Sequence, residues 1–259
     1  MKEHRVFNAN VYAERQKTFT LLIHNFDAHT RRIENGNRNT IKIVSIGEKE
    51  YNIKGFKLPN AVNQFVYRFF RKSKAERSFE FANKLLSLGI KTPEPIGYFE
   101  YTTTFLFKKS FYISEHLNYD LSFRELIEDK SYPAYEEILR LFTRFTFTLH
   151  ENGVNFLDHS PGNTLIKRVG EVYEFYLVDL NRMRFHVMSF EDRMKNFAKL
   201  SPRDYMLDIM IDEYSKVYTA KTKDEIFERM HYYSYKFSTA YMKRERFKKK
   251  YFFWRKKKR

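Results

Sequence analysis

The chain has 259 residues, enough for one compact domain or two lobes, with 48 Lys and Arg against 32 Asp and Glu and a formal charge of +16. It contains no Cys, which excludes disulfides, thiolate-metal sites and a cysteine nucleophile. No run of 18 apolar residues is present, and Met1-Lys2-Glu3-His4-Arg5 lacks the apolar stretch of a signal peptide, so a cytoplasmic protein with an anionic partner is expected.

Taken in chain order, Phe19–Phe26 alternates imperfectly and predicts a strand. Asn35-Gly36-Asn37 marks a turn, and Thr40–Ile46 predicts a second strand. Gly47-Glu48-Lys49-Glu50 turns the chain into a third, Tyr51–Phe56. A basic, aromatic region, Phe65–Lys74, leads to a helix over Lys74–Leu88 with Phe79, Ala82 and Leu86 on one face and Gly89 as its stop. Beyond Pro93 and Pro95, strands are predicted at Ile96–Tyr101, Phe105–Phe107 and Phe111–Ser114, and the run to Asn118 turns polar. Leu121–Asp129 predicts a short helix, and Tyr135–His150 a longer one with Ile138, Leu141, Phe142, Phe145 and Leu149 aligned, ended by Gly153. After Asp179 the chain reads as helical, with breaks near Ser201-Pro202 and Thr222. Strands first and helices second predict an α+β fold of two lobes with a cleft between them. The boundaries expected are an N-lobe over residues 1–114, a C-lobe over 115–242 and a basic aromatic tail over 243–259.

The chemistry is concentrated in Asp158-His159-Ser160-Pro161-Gly162-Asn163, followed by a hairpin turning near Gly170 and then Val178-Asp179-Leu180-Asn181. Taken alone, the first of these is also a plain turn, since Asp and Ser cap, Pro and Gly bend, and Asn tolerates left-handed geometry. Its position after a long amphipathic helix and before a hairpin with an Asp at its exit matches the kinase order. There Asp-x-x-x-x-Asn carries the residue that orients the acceptor hydroxyl and one Mg²⁺ ligand, and the later Asp carries the other. Asp158 is then the catalytic base, with Asn163 and Asp179 as the metal ligands, oxygen donors of the kind Mg²⁺ prefers.

Such a site needs a Lys for the nucleotide phosphates and a helix Glu to hold it. Lys54, on the third strand, is preferred to Lys57, and Glu80 to Glu76 because it lies nearer the apolar face. The phosphate cover is weak: there is no Gly-x-Gly-x-x-Gly, and between the first two strands only Gly36 allows a tight turn.

The segments Lys54-x-Phe56-Lys57-x-Pro59-Asn60, Phe69-x-Arg71-Lys72-Ser73-Lys74-Ala75 and Leu88-Gly89-Ile90-x-Thr92-Pro93, with Asp158…Asn163 and Asp179-Leu180-Asn181-Arg182, resemble the lipopolysaccharide kinase family, the Kdo and heptose kinases of the inner core. The resemblance runs from about Phe19 to about Tyr218. It implies a two-lobed protein-kinase-like fold and ATP- and Mg²⁺-dependent phosphorylation of a sugar hydroxyl on a glycolipid, the lipid A-core. It also implies that the crossing segment around Glu115, His116 and Leu117 holds adenine through its backbone. Two departures stand out. Phe156 replaces the usual His two residues before the catalytic Asp, and Leu180 replaces the Gly after the metal-binding Asp. No Ala-Pro-Glu-like segment is present, which favours a glycolipid or small-molecule acceptor over a protein.

The charge is concentrated at the end: Lys243 to Arg259 holds 11 Lys or Arg and one Glu, interleaved with Phe247, Tyr251, Phe252, Phe253 and Trp254. Cations among large aromatics suit an anionic membrane surface, which the resemblance implies is the inner face of the inner membrane. A solvated basic tail would read the same way. Nucleic acid needs no more than this charge, but no RRM, zinc-finger or KH signature accompanies it.

Overall fold

The computed structural model describes residues 1–33 and 39–251, in two units: Met1–Asn118 with Tyr176–Arg182, and Tyr119–Phe175 with Met183 onward. The first unit contains, in order, β1 (Lys2–Phe7), α1 (Ala13–His24), β2 (Arg32–Ile33), β3 (Asn39–Ile46), β4 (Lys49–Phe56), α2 (Ala61–Phe69), α3 (Lys74–Ser87), β5 (Pro95–Thr102) and β6 (Phe107–Glu115). Its strands form one antiparallel sheet in the order β1-β5-β6-β4-β3-β2.

Period-2 burial fixes β4: Tyr51 and Ile53 are buried, joining Phe99, Phe111 and Ile113 in one core, while Lys54 stands on the other face. In register, Lys54 lies between Ile41 of β3 and Tyr112 of β6. The strand expected over Phe19–Phe26 is instead the helix α1 and the single turn after it. Its buried residues, Phe19, Ile23 and Phe26, recur at intervals of four and three, and that helical period outweighs the imperfect alternation. The Phe19 ring meets Tyr51 edge-on, 5.0 Å between centroids. The strands expected at Phe105–Phe107 and Phe111–Ser114 are one strand, β6 from Phe107 on, because Phe107 and Ser110 both keep a partner on β5 across a local register shift.

The helix α3 begins and ends where the sequence places it. Ser73 caps its first turn through the Glu76 N–H at 3.0 Å, and Gly89 takes φ +72° just past its end.

The second unit contains β7 (Leu121–Ser122), α4 (Phe123–Glu128), α5 (Tyr135–Glu151), β8 (Val154–Phe156), β9 (Thr164–Val169), β10 (Val172–Leu177, its last two residues counting with the first unit), β11 (Met183–Phe185), α6 (Phe190–Ala198), α7 (Asp204–Val217) and α8 (Lys223–Tyr251). The hairpin β9–β10 turns at Gly170 and is joined by β7, while β8 pairs with β11, Phe156 opposite Met183. The core is built on α5: Phe142 stacks on Phe123 at 4.1 Å and meets Phe175 edge-on, and Met206, Met210 and Tyr214 of α7 bury against the same cluster. Gly153 is required between α5 and β8, since it takes φ +67° and a Cβ there would sit 2.7 Å from the His186 carbonyl. The breaks expected near Ser201 and Thr222 separate α6, α7 and α8. α8 runs without interruption past Lys243 to Tyr251, and among its described residues only Ile226 and Met230 are buried. Residues 252–259 of the expected tail lie outside the described residues.

Lys42 of β3 is fully buried, and its ammonium donates to the carbonyls of Phe26 at 2.6 Å and Asp27 at 3.1 Å. Lys42→Met keeps the apolar stem but leaves both carbonyls without that donor. Urea denaturation should show a loss of about 1–3 kcal/mol, the usual cost of an unsatisfied buried polar group.

Candidate active site

In the first unit, the segment after β10 is pinned by the chain that leaves α3. Leu177 N–H donates to Lys91 O at 3.0 Å, and Thr92 Oγ1 donates to Leu177 O at 2.8 Å. Two residues on, Asp179 adopts φ +57°, a left-handed geometry that Asp tolerates better than most side chains. Its Oδ1 accepts from Lys54 Nζ at 2.6 Å and from Asn181 Nδ2 at 2.6 Å. The Lys54 side chain is 12% exposed and that of Asp179 31%. Oδ2 of Asp179 takes part in no described hydrogen bond, so one carboxylate oxygen is held while the other remains an open acceptor.

The expected Lys54–Glu80 pair is not formed. Lys54 pairs with Asp179, while Glu80 pairs with Lys72, which also lies 3.6 Å from Glu76. Glu80 follows Phe79 in sequence but is turned about 100° from it around the helix, which places the carboxylate on the exposed side of α3. Gly36 lies outside the described residues. Glu115 donates its N–H to Glu94 O and its carboxylate meets Lys49 at 2.7 Å, while His116 donates its N–H to Glu50 O. Among the described residues the Leu117 N–H has no backbone acceptor. Of this stretch, Leu117 is therefore the residue able to offer a ligand its amide.

In the second unit, α5, Gly153 and β8 deliver the loop that carries Asp158. Three successive carbonyls of this loop each receive a side-chain donor: Phe156 O from Asn196 Nδ2 at 3.0 Å, Leu157 O from Lys199 Nζ, and Asp158 O from Asn163 Nδ2 at 2.8 Å. Asn163 thus spends its amide N–H on the loop and keeps its amide oxygen as an acceptor. Beneath the loop, His159 is fully buried, stacks on Phe156 at 5.6 Å and donates from Nδ1 to Asn196 Oδ1 at 2.7 Å. The same oxygen receives His150 Nε2 at 3.4 Å, and the other nitrogen of that ring, Nδ1, accepts from the Tyr214 hydroxyl at 2.9 Å. Burial, which outweighs the Asn196 hydrogen bond, holds both rings neutral, with His150 pushed down to about 3 and His159 to about 4.

No motif in the sequence marks Asn196, Lys199, His150 or Tyr214, and the one local signal is an Asn close to Met194 and Phe197 on an amphipathic helix. Asn181 lies within Val178-Asp179-Leu180-Asn181, where its role as a partner of Asp179 shows only in the fold.

Among the described residues no group of three or more His, Asp or Glu is placed to cage a metal. Asp179 of the first unit offers a carboxylate oxygen and Asn163 of the second an amide oxygen, each by itself a hard donor of the kind Mg²⁺ takes beside waters and substrate phosphates.

The lipopolysaccharide kinase (Kdo/WaaP) family is matched over residues 30–233. The chain belongs to that family. A solved structure described as WaaP in complex with acyl carrier protein superimposes with a TM-score of 0.61 at 14% identity, covering 92% of this chain and 99% of that one. The likeness shows that this family member has the mixed α+β, kinase-like fold of WaaP. No individual curated protein sequence matches it.

The two neutral histidines make stability depend on pH. Below about 6.5 the unfolded chain protonates rings that the fold keeps neutral down to about 4, so stability present above 6.5 is lost as pH falls through that window. Urea midpoints should fall between pH 7 and pH 5. His159→Gln, which keeps a donor for Asn196 and cannot titrate, should flatten the slope by about half.

Proposed function

We propose that this lipopolysaccharide kinase family member transfers the terminal phosphate of Mg-ATP to a sugar hydroxyl of the inner core, a Kdo or a heptose. The observation that carries the reading is the shared hold on Asp179 by Lys54 and Asn181, in a chain whose Asp158 loop is fixed at three successive carbonyls.

Asp158 orients the acceptor hydroxyl and takes its proton as the bond to phosphorus forms. Asp179, through its open oxygen, and Asn163, through its amide oxygen, are the residues that would hold Mg²⁺. The metal, when bound, neutralises charge on the nucleotide phosphates. Lys54, largely covered beside Asp179, is a cation that can exchange a carboxylate for a phosphate oxygen. Leu117 offers its backbone N–H to the base. Phe156 fills the place of the usual His and, with His159 stacked on it, supports the loop by packing, so activity does not require the missing imidazole.

The same reading places the protein on the inner face of the inner membrane, with the basic end of α8 and the residues beyond it as the contact. Concentrating enzyme and acceptor on one surface raises their effective concentration without a new active-site contact. A lipid-carrying protein partner falls within this reading as well, since WaaP was solved with acyl carrier protein.

Two experiments test the proposal. With labelled ATP and a lipid A-core acceptor, Asp158→Asn should lower kcat by several orders of magnitude with little change in nucleotide affinity, whereas Asp179→Ala should also abolish the Mg²⁺ dependence of ATP binding. Near-normal turnover in either folded variant removes that residue from the mechanism.

Among the described residues, cutting the chain before Lys243 removes the outer turns of α8, none of them buried, and leaves Ile226 and Met230 in place. Salt-sensitive binding to anionic vesicles should be lost, each base being worth on the order of 1 kcal/mol at the surface. Turnover on a detergent-dispersed acceptor should persist. Vesicle sedimentation and steady-state kinetics on the same two proteins decide it.

A further inference from the structure

The first unit contains a cavity of about 330 Å³ lined by Lys57, Lys74, Arg182, Asn63, Tyr67 and Ser110, the rest of its wall being apolar. Three cations and three neutral polar side chains face it, and no carboxylate does. Among the described residues neither Lys57 nor Lys74 forms an ion pair. Charge crowds behind the wall as well. Burial, and then the charge of Arg182, push the Lys74 ammonium down, with Asp179 opposing them only in part. One turn along α3, burial and the charges of Arg71 and Arg182 push Arg77 down. Lys57 and Lys74 therefore face the cavity without an ion pair of their own, no carboxylate lines its wall, and an anion in it would relieve the repulsion among the cations that do.

The volume narrows the choice of anion. Cavities of this size take small organic molecules, and inorganic phosphate alone would leave most of the space empty. An apolar wall with Asn, Tyr and Ser donors suits the carbon skeleton and hydroxyls of a sugar, while the cations suit a phosphate. We propose that this cavity, walled by Lys57, Lys74 and Arg182, recognises a phosphate group already carried by the saccharide of the acceptor, separately from the phosphates of the nucleotide. The proposal rests on the reading of the acceptor as a core glycolipid. It assigns Lys57 to acceptor recognition and leaves Lys54 to the nucleotide.

The test is a binding measurement that needs no turnover. The full chain is titrated calorimetrically with deacylated lipopolysaccharide core oligosaccharide bearing its phosphates, the same oligosaccharide after phosphatase treatment, inorganic phosphate, and Mg-ATP. The parent should bind the phosphorylated oligosaccharide about tenfold or more tightly than the dephosphorylated one, with an affinity that falls as salt rises. Lys74→Gln should erase that discrimination, Lys74→Arg should retain it, and Mg-ATP affinity should stay the same in all three. Lys57→Gln, at an exposed position, gives a second reading that does not depend on how α3 tolerates the change.

Discrimination that survives both Gln variants overturns the proposal. So does an equal loss of Mg-ATP binding, which would make the cavity a nucleotide site, and so does inorganic phosphate that competes as well as the oligosaccharide, which would make it a bare anion site. A failure of the kinase reading looks different: phosphorylated oligosaccharide still bound in a Lys74-dependent way, with no phosphate transferred.

Discussion

A single carboxylate oxygen, Oδ1 of Asp179, joins residues 125 positions apart in sequence by accepting from Lys54 as well as from its near neighbour Asn181. The pair is neither a surface ion pair nor a sealed one. Lys54 is almost covered and Asp179 about a third exposed, so the ammonium has given up much of its water and needs a nearby anion. A fully buried pair would resist exchange, and a fully exposed one would not fix the geometry. The intermediate case suits a cation that must hold its place in the free protein and then release one anion for another. The left-handed backbone at Asp179 and the anchoring of Leu177 from both sides keep the carboxylate in position while its partner changes.

The second unit positions its own acid by a different means. Asp158 sits on a loop whose carbonyls are fixed by Asn196, Lys199 and Asn163, above two buried neutral imidazoles that share one amide oxygen. Each donor named in this network has an acceptor, and the one acceptor without a donor among the described residues is Nε2 of His159. A buried network in which nearly every group is satisfied is stiff, because any displacement leaves a polar atom unpaired at a cost of about 1–3 kcal/mol. Phe156 matters here through its surface: it gives His159 an aromatic face to stack on.

The large positive charge has more than one setting. Part of it is solvated on the outer turns of α8, and part is drawn into ion pairs, as where Arg140, Arg144 and Lys216 surround the buried Glu213. Burial alone would raise the Glu213 carboxyl, but hydrogen bonds from Arg144, Arg140 and Lys216 bring it below its ordinary value. Lys74, on the cavity of the first unit, belongs to neither group, since it is partly desolvated and no carboxylate lines the cavity wall. Net charge alone pointed to an anionic partner; the placement of these groups is what separates a surface contact from a shaped recess.

By itself the sequence determined the elements whose signals are local. The alternation in β3 and β4, the apolar stripe and glycine stops of α3 and α5, the hairpin at Gly170 and the helix breaks near Ser201 and Thr222 all lie within a few residues of what fixes them. So does the spacing of Asp158, Asn163 and Asp179, together with the segments that resemble the lipopolysaccharide kinases. Tertiary structure decided the rest. β1 has no buried residue and so shows no alternation to read; it is a strand only because it pairs along the edge with β5. Phe19–Phe26 could alternate or wind, and the core beneath Tyr51 selected the helix. Lys54 could find Glu80, Glu76 or Asp179, and the three differ only in where distant segments come to rest. Asn196 acquires its role when the loop of residues 156–159 folds against α6. Periodicity and capping act over a few residues and are written in the chain, whereas the choice of partner for a buried charge or amide depends on which segments meet, and that is set by packing.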